Sequence, residues 1–183
     1  MKGSWRLTLI IALGLIACGV PAEDEAEPLT IELDQPPEIE ETAPEDLAAV
    51  SVYLIRDAVL VPVTRDLPIP ITLQTTLESL LSRVSQPEER ANLRTSIPPG
   101  TRLLRVEIED GTARLNLSSD FASVGGEEEI LAVAQIVLTA TSTDLVSSVE
   151  FELEGVPTDV PVAGGALSVE PVSADHYDQL IGS

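Results

Sequence analysis

The chain is 183 residues long, enough for one domain with a core of ordinary size. Its 10 Lys and Arg stand against 31 Asp and Glu, and the net charge of −21 makes nucleic acid and anionic lipid headgroups poor partners, leaving cationic or neutral ones. A single cysteine excludes an internal disulfide, so packing alone must hold the fold.

The first segment reads as a secretion signal over residues 1–17. Lys2 and Arg6 form a positive start, Leu7 to Leu15 an apolar core, and small residues precede Cys18. The apolar run is shorter than the ~20 residues that a spanning helix needs. Leu15-Ile16-Ala17-Cys18 resembles the lipobox of bacterial lipoproteins. That resemblance implies cleavage before Cys18 and a diacylglycerol on its thiol, usually with a further acyl chain on the new amino terminus. Two or three chains suffice for stable anchoring, because each buried methylene contributes about 0.8 kcal/mol. The expected location is therefore the extracytoplasmic face of the bacterial cell membrane.

Residues 18–48 are acidic and proline-rich, with no Lys or Arg. Such a composition cannot bury enough apolar surface to fold, and its like charges extend it. We read it as a tether that holds residues 49–172 off the membrane, followed by a polar tail over 173–183.

From Val50 the pattern is that of an α+β unit. Val50 to Ile55 and Val59 to Val63 read as strands around a turn at Arg56-Asp57-Ala58, with Pro62 placing the second strand at an edge. Leu73, Leu77, Leu80, Leu81 and Val84 form one helical stripe, entered through Thr72. A short helical turn follows at Pro87 to Arg90. Leu104, Val106 and Ile108 then alternate with charged residues up to Asp110-Gly111, and Ala113, Leu115 and Leu117 alternate with polar ones beyond it. A type I′ turn at Asp110-Gly111 pairs Ile108 with Ala113, Glu107 with Arg114, Val106 with Leu115, and Arg105 with Asn116. Slipping by one residue would set Leu against Arg and turn the apolar set outward. Glu127-Glu128-Glu129 opens a second helix with a stripe of Ile130, Val133, Ala134, Val137 and Ala140. Val149, Phe151 and Leu153 alternate with Glu150, Glu152 and Glu154 in a further strand ended by Gly155, and a weaker strand follows around Leu167 to Val169. The expected fold is a two-layer α+β sandwich: a mostly antiparallel sheet with two helices on one face, in the order ββαββαβ.

Several stretches in this order resemble the GerMN domain of sporulation and spore germination proteins. They are Thr95 to Thr101, Val106 through Asp110-Gly111, Leu115-Asn116-Leu117-Ser118-Ser119-Asp120-Phe121, Gln135 to Thr139, and Val149 to Gly155. The resemblance covers about residues 48–172, and the chain departs from the usual pattern at Leu138 and Ala140. It implies an exported or membrane-anchored protein, in some cases serving spore-envelope assembly or germination. No catalytic residues travel with it.

The residues agree. His176, the sole histidine, sits in the polar tail near Ser173 and Asp175, whereas a hydrolytic triad needs a rigid scaffold. The three consecutive glutamates at 127–129 fan out around a helix instead of converging on a metal. No metal and no cofactor are expected. Glycosidase-type acid pairs are unspecific in so acidic a chain. A cell-wall polymer or small ligand is a second reading, which the four aromatics left after removal of the signal, Tyr53, Phe121, Phe151 and Tyr177, support poorly. An envelope hydrolase is a third. The favoured role is a non-catalytic lipoprotein that binds another envelope protein, and the sequence sets no oligomeric state. The hairpin register puts Arg105, Glu107, Arg114 and Asn116 opposite the apolar row, and the later alternation gives Glu150, Glu152 and Glu154 the same freedom. These seven are the candidate partner-binding face. Plain solvent exposure of these residues predicts that reversing Arg105 and Arg114 to Glu leaves stability nearly unchanged.

Overall fold

A computed structural model of the protein describes residues 46–182. The signal at 1–17, Cys18 and the tether up to residue 45 lie outside the described residues. The first hairpin joins β1 (Leu47–Arg56) to β2 (Val59–Pro68). Its turn is two residues long, and both Asp57 and Ala58 have positive φ, 51° and 66°. Tyr53 lies opposite Pro62. The Tyr53 backbone is turned away from β2, so the missing N–H of Pro62 removes no ladder bond.

Helix α1 (Leu73–Leu81) begins at Thr72, whose hydroxyl accepts from the Thr75 amide at 3.1 Å while the Thr75 hydroxyl accepts from the Thr72 amide at 3.0 Å. It buries Leu73, Leu77 and Leu80. The short α2 (Gln86–Arg90) follows, capped in the same way by Ser85 and Glu88. Next come β3 (Leu103–Glu109) and β4 (Thr112–Leu117), in the register expected from the sequence, with Asp110 and Gly111 at φ 48° and 80°. A bulge at Leu104 interrupts the pairing near its open end.

Helix α3 (Glu127–Thr141) carries the chain to β5 (Ser148–Leu153), which pairs parallel with β4. A second two-residue turn, Glu154-Gly155 at φ 48° and 82°, leads into β6 (Val156–Pro157). The sheet order is β3-β4-β5-β6, antiparallel except at its centre. The short β7 (Val160–Pro161) and β8 (Leu167–Ser168) pair with each other, and a 3₁₀ helix at Ala174–Leu180 ends the described chain.

Two features depart from the simple sandwich. The β1–β2 hairpin forms its own two-stranded sheet. The edge of β1 is closed by Arg94, which exchanges two 2.9 Å backbone hydrogen bonds with Ile55, and by side chains of α3. Moreover, α3 is buried from Leu131 to Ala140 on every side, because β1, α1, β5, β7 and the C-terminal 3₁₀ helix surround it. Its polar Gln135 and Thr139 are fully buried and satisfied. The Gln135 carboxamide oxygen accepts from the Ser96 amide at 2.8 Å, its nitrogen donates to the Tyr53 carbonyl at 2.8 Å, and the Thr139 hydroxyl accepts from the Tyr53 amide at 2.9 Å.

The C-terminal segment, read from the sequence as a polar tail, is packed. Tyr177 is fully buried and donates its hydroxyl to the Pro161 carbonyl at 2.9 Å, and Gly182 donates to the Leu60 carbonyl at 2.9 Å. A polar composition hid one large apolar ring, and that ring is what docks the segment.

Candidate protein-binding face

In β4, Ala113, Leu115 and Leu117 are buried in the core, so Arg114 and Asn116 must emerge on the other side of the sheet. The parallel partner β5 sets Glu150 beside Arg114 and Glu152 beside Asn116, and the hairpin sets Glu107 on the far side of Arg114. Five of the seven candidate residues therefore form one ionic network. Arg114 approaches Glu150 at 3.1 Å, Glu152 at 3.8 Å and Glu107 at 3.9 Å, while Arg105 approaches Glu152 at 3.1 Å and Glu107 at 3.6 Å. The Arg114 pKa is raised above its ordinary value, first by its hydrogen bond to Glu150 and then by the surrounding negative charge.

Three members behave differently from a freely solvated row. Glu152 is only 8 % exposed, roofed by the two arginines. Glu154 leaves the strand for the turn, where its carboxylate accepts from the Ser119 amide at 2.9 Å. Asn116 likewise serves that turn, accepting from the Gly155 amide at 2.9 Å. Neither could be assigned from alternation, since the turn takes Glu154 as its first central residue.

Shallow depressions flank Arg114 and Glu150. One, of about 270 Å³, is bounded by Glu150, Glu152, Asp159, Glu170, Pro157 and Val169; the other, of about 260 Å³, by Glu107, Glu109, Asp110, Thr112 and Glu150. Both fall below the ~300–1,000 Å³ of enclosed small-molecule sites. Asp159 and Glu170 sit in loops far along the chain, and no sequence signal links them to β4. Phe151 borders the first depression but is itself buried. Phe121 and Phe151 stack in the core with centroids 6.3 Å apart, and Tyr177 is buried.

Other candidate chemistry is structural in use. Glu128 of the acidic triplet binds Arg94 at 2.9 Å and accepts from the Ser96 hydroxyl, and these contacts lower its pKa. His176 Nδ1 lies 3.1 Å from both the amide nitrogen and the hydroxyl of Ser173, as a helix cap. Among the described residues no carboxylate is hydrogen-bonded to that ring, no group of three or more His, Cys, Asp or Glu is placed to hold a metal, and no helix is long and apolar enough to cross a membrane.

The family model for Germane, described as sporulation and spore germination, matches residues 51–159, from β1 to the loop before β7. The chain belongs to the Germane family. Its GerMN fold is similar to the tandem GerMN domains of the sporulation protein GerM from Bacillus subtilis, with a TM-score of 0.55 and 25% identity over 70% of this chain and 46% of that one. The chain thus spans about half of that tandem structure. It is also similar to the first GerMN domain of the same protein, with a TM-score of 0.54 and 25% identity over 70% of this chain and 98% of that one. A candidate lipoprotein from Clostridium perfringens shares the fold, with a TM-score of 0.50 and 18% identity over 74% of this chain and 93% of that one. No curated protein matches the chain. Germane is not a known enzyme family.

Proposed function

We propose that this GerMN protein is a lipid-anchored, non-catalytic envelope protein that docks a protein partner on the outer face of β3-β4-β5, in the setting of spore formation, germination or envelope assembly. The observation that carries this reading is the convergence of Arg105, Glu107, Arg114, Glu150 and Glu152 from three adjacent strands onto the side of the sheet opposite the core. Acids outnumber bases there, which favours a partner with a cationic surface. The open shape of the face suits a protein better than a small molecule. Cys18, following the lipobox-like sequence, supplies the anchor, and the acidic tether supplies reach.

The test uses the full chain in its own envelope. Removing half-exposed charge with Glu107→Gln and Glu150→Gln should reduce recovery of the co-purified partner several-fold at low salt and less at high salt, since exposed interface charges act on association. Equal recovery at low salt would place docking elsewhere. In parallel, Cys18→Ala should move the protein out of the detergent phase on phase separation; continued partitioning into detergent would remove the anchor from this reading.

A further inference from the structure

Among the described residues, β3 is the outer strand of its sheet. Its register fixes which backbone groups are used. Glu109 and Thr112 flank a two-residue turn, so Glu109, Glu107 and Arg105 direct their N–H and C=O groups toward β4. The far side of β4 agrees, because the Leu117 carbonyl there accepts from the Glu154 amide. The N–H and C=O groups of Val106 and Ile108 consequently point outward, away from β4. The edges of the first hairpin are protected. That of β1 is closed by Arg94 and α3, and that of β2 carries Pro62 and is bridged at Leu60 by Ile181. The edge of β3 also exposes apolar surface, with Leu104 43 % and Ile108 44 % accessible.

The sequence along this edge is its own complement. Leu104-Arg105-Val106-Glu107-Ile108 reads apolar, cation, apolar, anion, apolar. Run antiparallel against a second copy with Val106 opposite Val106, it sets Arg105 against Glu107 twice on the charged face and brings the exposed Ile108 of each copy to the bulge at Leu104 of the other. The two Val106 residues exchange both backbone hydrogen bonds. The neighbouring registers that also match outward-pointing groups are poorer. Val106 against Ile108 puts Glu107 on Glu107 at the two-fold axis, and Ile108 against Ile108 puts Glu107 on Glu109 twice. Charge therefore selects one register.

We propose that β3 is a self-association edge, joining two copies of this chain about a two-fold axis perpendicular to the sheet into one continuous sheet centred on β3. The bulge at Leu104 keeps the ladder short, and the charge of −21 on each copy opposes approach, so the dimer is weak and forms at high local concentration. This assignment concerns the rim of the sheet and stands whether or not its outer face docks another protein.

The experiment is sedimentation velocity of the full chain in density-matched detergent, alongside thermal melts. Wild type should show a concentration-dependent monomer–dimer equilibrium. Arg105→Glu and Glu107→Arg should each weaken it by about tenfold or more, because like charges then face each other across the axis. The double variant, which restores opposite charges, should recover the dimer. The swap also restores the pair that positions 105 and 107 make within one chain, but it leaves position 105 facing Glu152 and position 107 facing Arg114, so an effect on the fold itself shows in the melts while an effect on pairing shows in sedimentation. If the double variant melts early, Val106→Cys supplies the second measurement. Paired residues across such an edge lie about 5.5 Å apart, within disulfide reach, and mild oxidation should link the variant as a dimer while wild type, whose cysteine is Cys18, stays unlinked. A wild type that stays monomeric up to about 0.1 mM, together with an unlinked Val106→Cys variant, would overturn the proposal.

Discussion

Glu152 shows how one side chain alters the meaning of its neighbours. Alternation along β5 reads Glu150 and Glu152 as equivalent solvent residues, and from that reading reversal of Arg105 and Arg114 to Glu should leave stability nearly unchanged. The structure corrects this expectation. Glu152 is buried beneath both guanidinium groups, so reversing them would leave a buried carboxylate facing like charges and should lower the denaturant midpoint of the domain. The same logic governs Glu88, whose carboxylate binds Arg65 at 2.8 Å and accepts from the Ser85 amide at 2.6 Å. Burial raises its pKa, but the Arg65 hydrogen bond and the Ser85 donors outweigh burial and hold it below the usual range. Because the native value is depressed, the unfolded chain binds more protons in the acid window. The contribution is full above the ordinary glutamate value of about 4.3 and is lost as pH falls through the native value. Denaturant midpoints measured across that window should fall more steeply for wild type than for Glu88→Gln, and parallel curves would deny the linkage.

Three hairpins of this fold use two-residue turns with positive φ at both central positions: Asp57-Ala58, Asp110-Gly111 and Glu154-Gly155. Asp110-Gly111 was legible because Asp-Gly is the usual chemistry of a type I′ turn and the flanking alternation agreed with it. Asp57-Ala58 reads from the sequence only as part of a turn with Arg56, since alanine carries no such signal. The two turns make opposite predictions. Gly111→Val should cost about 1–3 kcal/mol, because the left-handed conformation disfavours a branched side chain and its Cβ would lie 3.1 Å from the Ser147 hydroxyl. Ala58→Gly should stabilise by about 0.5–1 kcal/mol, as relief of left-handed strain exceeds the added chain entropy. Urea melts measure both, and matching shifts of one sign would reject the turn assignments. For α3 the stripe from Ile130 to Ala140 was legible, but burial around its whole circumference was not. Gln135 and Thr139 look solvent-facing until the β1 backbone arrives to use them.

At the scale of the whole molecule, the C-terminal 3₁₀ helix closes the domain over α3, β7 and β2. Burial pushes the Tyr177 phenol above its ordinary pKa, and its hydroxyl satisfies the Pro161 carbonyl. Tyr177→Phe strands that carbonyl and should cost about 1–3 kcal/mol in equilibrium unfolding, where a mobile tail would show no change. By itself the sequence determined the α+β class, the register of the Asp110-Gly111 hairpin, the start of α1 at Thr72 and the GerMN resemblance. The first three rest on local periodicity, turn chemistry or capping, in which the interacting residues lie within a few positions of one another, and the last on a resemblance to the family's stretches in their order. Tertiary structure alone decided that β4 and β5 pair in parallel, that α3 is enclosed, that the tail docks through Tyr177, and that Glu152 is roofed by Arg105 and Arg114. In each case the partners lie far apart in the chain, and only long-range packing brings their polar groups into reach and so decides which are buried.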